Sequence, residues 1–454
     1  MYPIARSFVT ACAIAVVASP SRAFAQTAAD RPAAPLVPAA DTSADANALA
    51  PEVRLETVLQ VAERANPEIR EAQERVRSAT ARASAAGRFP DLEAKYEQWG
   101  VPLSRPYALN EADTLMFGLR QTIPAPGVLG ARSRAAEGDA GMLAEAERAR
   151  QQDIRVRVKR AFYEYYRTYR EYQIHLEHVI LESRIVELAR QNYQVGRATQ
   201  QDVLRTAVDL SRLHSDVADL VQQLESSKAQ LNTLMARPID AALGAPAGVA
   251  PDLGRVDLAR AEGALDESRP EIAAAKIGTL RSEAALDAAK TEATVPSFML
   301  GVDYWYQPTS DVRHAYGAMV SINLPWLSGR RRDQVRDAEH TLAADIRALE
   351  SARNTARFEV RDALARLTAA QQSFRIIDRE LLPQARQSFE AAQAAFGAGK
   401  GDALGLLDSA RSYLQVRVEG ARAVARLGSS LADLERAIGT GLTNAAPAAQ
   451  EKRQ

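Results

Sequence analysis

The sequence predicts a mostly α-helical chain, built twice over, in which each half carries a pair of membrane-type β-strands. Three observations point there. Landmark residues recur in the same order at an offset of about 200 residues. Four segments of about ten residues alternate apolar and polar side chains, the length and period of tilted membrane strands. Between them run stretches long enough for helices of about 100 Å at 1.5 Å per residue.

The duplication rests on several pairs. Asn66-Pro67-Glu68-Ile69 recurs as Arg269-Pro270-Glu271-Ile272, and Phe89-Pro90 as Val295-Pro296. Ile123-Pro124 recurs as Leu324-Pro325, Gly127 as Gly329, and Tyr193-Gln194-Val195-Gly196 as Phe396-Gly397-Ala398-Gly399. The expected organisation follows. Residues 1–25 read as a secretory signal, with Arg6, an apolar run from Phe8 to Ala18, and Ala23-Phe24-Ala25 as the cleavage site. Lipidation at Cys12, the only cysteine, is the competing reading of that segment. Residues 26–50 form a leader rich in Ala, Pro and Asp, expected to be disordered. The first repeat covers 51–237, a Pro/Gly-rich linker 238–256, the second repeat 257–442, and a disordered tail 443–454.

In the first repeat a helix from Glu68 to Arg88 ends near a proline, strands follow at about 91–100 and 114–124, and long helices at about 132–195 and 200–236. In the second, strands fall at about 297–307 and 316–325, and long helices at about 330–396 and 402–439. Pro383 predicts a kink or break near Leu382, because it lacks an N–H and its ring crowds the preceding turn. Val203, Ala207, Leu210, Leu213, Val217, Leu220, Leu224, Leu231 and Leu234 step by three and four, a heptad seam. Leu407, Leu414, Ala421, Leu431 and Ile438 repeat it.

The strands carry the membrane argument. Leu92, Ala94 and Tyr96 share one face, as do Leu115, Phe117, Leu119 and Ile123. Phe298, Leu300, Val302, Tyr304 and Tyr306 share another, and Tyr316, Ala318, Val320, Ile322 and Leu324 the fourth. Trp99, Tyr107, Trp305, Tyr316 and Trp326 gather near the strand ends, as an interfacial girdle does. A soluble hairpin packed on helices is the competing reading. Single-chain membrane barrels start at about eight strands, so four must be shared between subunits, and three copies give twelve.

Composition excludes other classes. The chain has 454 residues, with 57 Lys+Arg against 57 Asp+Glu, and so no basic excess for nucleic acid. Mean hydropathy is −0.25, and past the N-terminus no run of about 18 apolar residues offers a membrane helix. No HExxH, Walker A, GxSxG or dinucleotide fingerprint appears, so neither an enzyme nor a cofactor is expected. His175 and His178 stand three apart on a helix, but without cysteine or a third ligand they read as surface histidines, and no metal site is expected. Phe162, Tyr163, Tyr165, Tyr166, Tyr169 and Tyr172 read as interhelical packing. Arg330-Arg331-Arg332 reads equally as a basic patch or as the solvated start of a helix.

Together the repeat, the Pro-flanked strands and the two tip segments 193–204 and 396–408 resemble the TolC family of outer-membrane efflux channels, over about Leu55 to Leu442. The resemblance implies a homotrimer, with a twelve-stranded outer-membrane barrel continuous with a periplasmic α-helical coiled-coil tunnel. It implies a passive exit duct in a Gram-negative outer membrane, working with a periplasmic adaptor and an inner-membrane pump such as an RND transporter. Val195, Gly196 and Arg197 match the family's adaptor-contacting tip in the first half, and Gly399 and Lys400 in the second. Asp408 matches a periplasmic gate position and Asp402 stands nearby, while Gly405 departs from the family's second aspartate. A solvated coiled-coil face explains Asp408 equally well. Gln121-Thr122-Ile123-Pro124-Ala125-Pro126-Gly127 and Gln201-Asp202-Val203-Leu204 resemble the heavy-metal efflux branch, with metal cations or drugs as the implied cargo. A soluble periplasmic coiled-coil scaffold is the alternative; it explains the long helices but not the four alternating strands.

Overall fold

The computed structural model describes residues 49, 51–101, 103–248, 258–308, 310–327, 329–398, 400 and 403–440. The expected signal segment and tail, residues 249–256 of the linker, residue 257 of the second repeat, Gly399 and Asp402 lie outside them. Each half opens with two short helices, α1 (Leu55–Ala65) and α2 (Pro67–Ala86) in the first, α5 (Leu258–Ser268) and α6 (Pro270–Thr294) in the second. A strand pair follows, β2 (Glu93–Trp99) with β3 (Thr114–Ile123), and β5 (Phe298–Tyr306) with β6 (His314–Ile322). Long helices complete each half. These are α3 (Val128–Gln194) and α4 (Gln200–Leu234), then α7 (Arg330–Ile376), α8 (Leu382–Gly397) and α9 (Ala403–Ile438). Two-residue strands β1 (Glu52–Val53) and β4 (Ala245–Pro246) pair in parallel.

Pro383 produces no break. Residues Ile377–Leu381, just before α8, form a π-helical segment that joins it to α7. The wider turn accommodates the missing proline N–H and the crowded carbonyl four residues earlier. α3 alone has 67 residues, about 100 Å of helix.

The sheet order is β2-β3-β5-β6, all antiparallel, so the two halves meet where β3 pairs β5. Tyr96, Phe117, Leu119, Leu300, Val302, Tyr304, Tyr316, Val320 and Ile322 are all exposed on one face. Met116 and Asp303 on the opposite face are buried. Tyr107, Tyr316 and Trp326 are exposed, but the register puts Trp99 and Trp305 on the opposite face, where Trp305 lies over Gly317, so neither is part of an outer girdle.

The core lies among the helices. One cluster joins Val58, Val61, Ile154, Val158, Phe162, Tyr163, Tyr165 and Leu231, so the aromatic run of α3 is interhelical packing. Leu49, expected in a disordered leader, is fully buried in that cluster, and its carbonyl accepts from Gly244 N at 2.9 Å. A second cluster joins α5, α6, α7 and α9 through Leu265, Ile272, Val360, Leu367 and Leu434. On α4, Leu213, Leu220, Leu224 and Leu231 are buried as the heptad seam predicts. Leu210 and Val217 are only half-buried, while Thr206, Asp209, Ser227 and Asn232 are buried in addition. The seam is broader than the apolar residues alone.

α3 and α9 run antiparallel along a ladder of ion pairs. Asp153 accepts from Arg436 at 2.7 Å, and Lys159 pairs with Glu435. Arg160 meets Asp433 at 2.6 Å, Glu171 meets Arg422 at 2.9 Å, and Glu177 meets Arg417 at 2.6 Å. Partner numbers fall on α9 as they rise on α3, which is the register of two straight helices. Each exposed pair contributes little, about 0–1 kcal/mol, so the ladder fixes register more than stability.

Candidate functional site

The two helix-to-helix turns at the end of the long helices are built alike. α3 ends in a left-handed glycine, Gly196, with φ +72°. Gly196 N donates to Tyr193 O at 3.0 Å and Arg197 N to Asn192 O at 2.8 Å. This is the double bond of a Schellman cap, which satisfies the last carbonyls of a helix and favours glycine at the left-handed position. In the second half Lys400 N donates to Ala395 O at 3.0 Å, the same six-to-one bond. Lys400 therefore holds the place in its turn that Arg197 holds in the first. Each turn presents an exposed cation where the helix dipole favours one.

α4 then starts with a capping box. Asp202 N donates to Thr199 Oγ1 at 3.2 Å, and Thr199 N donates back to Asp202 Oδ2 at 2.9 Å. The backbone N–H and hydroxyl of Thr199 hold the Asp202 carboxyl below its ordinary value. Val195 is 66% exposed, and Tyr193, Leu204 and Val208 in the first half and Leu404 in the second are exposed too. The turns thus offer exposed apolar side chains and two cations.

Behind the turns α3, α8 and α9 pack through Ile185, Phe389, Phe396, Leu406, Leu407 and Ala410. The Phe389 and Tyr413 rings stack at 5.6 Å. Asp408 is exposed on α9 beside this cluster and has no ion pair among the described residues. Its candidate partner Asp402 lies outside them, as does Gly399, so the structure brings together Val195, Gly196 and Arg197 at one turn and places Lys400 at the other.

Asp209, His178, Glu182 and Glu171 are buried polar groups that the sequence pattern did not reveal. Asp209 on α4 pairs with Arg411 on α9, tying the two halves just above the turns. Its spacing from Thr206 and Leu213 puts it on the buried stripe, the one signal that could have revealed it. His178 is 3% exposed and not a surface histidine. It shares a face of α3 with Ile174 and Ile185, which pack on α9. Glu182 Oε1 stands 3.6 Å from its Nε2, and among the described residues that nitrogen and Glu182 Oε2 have no hydrogen-bond partner. His175 is half-buried, with Nδ1 2.8 Å from Glu171 O. Among the described residues no three metal-ligating side chains gather. Glu171 is itself buried. Burial works to raise its carboxyl, but the Arg422 and Arg167 guanidiniums outweigh that and hold it below its ordinary value.

The sequence matches the family described as outer membrane efflux protein over residues 58–237 and 261–440, both halves of the repeat. The chain belongs to that family. It is a homologue of the outer-membrane efflux channels of tripartite pumps, a family of channels and not of enzymes. A comparison with curated proteins finds no match. Solved structures share the fold. A membrane protein from Pseudomonas aeruginosa superposes with a TM-score of 0.75 at 20% identity, covering 91% of this chain and 96% of its own. The outer membrane protein VceC from Vibrio cholerae gives 0.70 at 19%, covering 85% and 96%. The open state of the MtrE outer membrane channel from Neisseria gonorrhoeae gives 0.68 at 21%, covering 86% and 89%.

Proposed function

We propose that three copies of this chain form a passive exit duct through a Gram-negative outer membrane. The observation that carries this is the sheet. Its four antiparallel strands expose one apolar face, and its outer strands β2 and β6 have no further pairing among the described residues. Open edges do not survive in lipid, and three four-stranded sheets close into twelve strands. No helix of the described residues is long and apolar enough to cross a membrane. A soluble scaffold would leave the apolar face in water.

The helices from each copy line a periplasmic tunnel. The turns at Val195, Gly196 and Arg197, and at Gly399 and Lys400, receive a periplasmic adaptor that links the duct to an inner-membrane pump. Asp408, with Asp402, narrows the mouth; the three Asp408 carboxylates near one axis repel each other and attract cations. Contact at the turns lets the paired helices relax outward. The cargo is a metal cation or a drug-like solute, and the duct performs no covalent step on it. The test is single-channel recording in planar bilayers. Wild-type protein opens a small, cation-preferring conductance, and Asp408→Ala raises conductance and weakens the preference. Unchanged conductance and selectivity in Asp408→Ala removes that residue from the gate; no conductance from inserted wild-type protein contradicts the duct.

A further inference from the structure

The sheet face opposite the apolar one carries an arrangement that folding alone does not require. Gly118 on β3, Gly301 on β5 and Gly317 on β6 all point to that face, and each lies under a larger side chain of a neighbouring strand. A Cβ at Gly118 would stand 2.2 Å from Asp303 Oδ1, one at Gly301 3.2 Å from Arg120 Cγ, and one at Gly317 2.3 Å from Trp305 Cη2. Asp303, Arg120 and Trp305 therefore lie along the wall and do not stand away from it. Gly118 is directly opposite Asp303 in the β3–β5 register, and Arg120 opposite Gly301.

The charges come in pairs. Arg120 Nη2 lies 3.9 Å from Asp303 Oδ1, and Lys95 pairs with Glu97 on the adjoining strand. Asp303 is 6% exposed even in a single copy. Arg120 Nε and Asp303 Oδ1 are buried and lack hydrogen-bond partners among the described residues. A separation of 3.9 Å is too long for a hydrogen bond, so the desolvation of both charges is poorly compensated. Apolar residues of similar size would be no less stable there. The pair is better explained by what passes in front of it.

We propose that Arg120 and Asp303 set the charge selectivity of the barrel segment. The proposal rests on the sheet being one third of a closed barrel with this face inward. Three copies then place Arg120 and Asp303 in one band around the lumen, held against the wall by the glycines. Rings of charged side chains decide which ions a pore favours. Here each positive charge is cancelled by a negative one at its side, so the band favours neither sign. Losing one partner leaves three like charges, whose field reaches about 10 Å at 0.1 M salt.

The experiment is the reversal potential of reconstituted full-length protein in planar bilayers under a KCl gradient. Asp303→Asn shifts the reversal potential toward anion preference, and Arg120→Gln shifts it toward cation preference. The double variant Arg120→Gln/Asp303→Asn returns it to the wild-type value. Gly118→Ala keeps every charge but pushes the Asp303 carboxylate off the wall, shifting selectivity toward cations, and serves if the charge variants do not insert. Variants that conduct like wild type with unmoved selectivity, or that shift in the same sense, overturn the proposal and leave the channel reading intact. Inserted wild-type protein that opens no conductance overturns both.

Discussion

Arg269 donates from Nη1 to the carbonyl of Ala437 at 2.8 Å, across the whole second repeat. Asn66, its counterpart in the first, donates from Nδ2 to Leu234 O at 2.9 Å. Each residue precedes the proline that starts a helix, α6 or α2, and each closes the end of the last long helix of its own half. The repeat is thus a pair of closed units, and the residue before the proline is the clasp of each.

Asn66 also accepts from Glu68 N at 2.9 Å, so it caps two helices at once. Asn66→Ala should destabilise the helical part by about 1–2 kcal/mol. Arg269→Met, which keeps the stem and drops the fork, should cost about 1–3 kcal/mol through unpaired carbonyls. Urea unfolding followed by circular dichroism checks both; midpoints equal to wild type would contradict the clasp.

Gly428 on α9 makes room for Tyr163 on α3. A Cβ there would stand 2.2 Å from the Tyr163 ring carbon Cζ. Gly428→Ala should lower stability by about 1–3 kcal/mol despite its better helix propensity. Shortening Tyr163 to Leu should relieve that cost, so a double-mutant cycle should return a coupling of about 0.5–3 kcal/mol. Additive effects would mean that the two residues do not meet.

Acid should loosen the α3–α9 ladder. The folded Glu171 carboxyl lies below its ordinary value of 4.5, so the unfolded chain binds its proton first as pH falls. Its contribution is present above about pH 4.5 and is lost as pH drops through the depressed folded value. Arg422→Gln removes one guanidinium that holds it there. The stability difference between wild type and this variant should shrink between about pH 6 and pH 3. A difference that stays constant over that range would sink the assignment.

At the first turn, Gly196→Ala meets no neighbour within 4 Å but must adopt φ +72°. The backbone penalty is about 1–2 kcal/mol and should stay local. Amide exchange in residues 193–203 should quicken while global unfolding hardly changes. Unaltered exchange there would show that the turn does not depend on glycine.

The duplication was legible because Pro67 and Pro270, and Gly196 and Gly399, punctuate the chain at matching places. The strands were legible because Phe117, Leu119, Val302 and Tyr304 keep period two over their full length. What the sequence concealed depends on partners far along the chain. His178 and Glu182 look solvated on a polar helix, yet neighbouring helices bury them. Asp209 is buried because Arg411 arrives about two hundred residues later to neutralise it. The β1–β4 pair joins two segments too short to carry any period. Pro383 signalled a disturbance, but only packing decides that a π-helical segment replaces a break.

The most direct test of the shared barrel is negative-stain electron microscopy of detergent-extracted protein. The account predicts threefold particles in which a barrel caps a helical cylinder, well over about 100 Å in total length. Slender rods that leave the membrane in salt alone, without a barrel and without threefold symmetry, would contradict it.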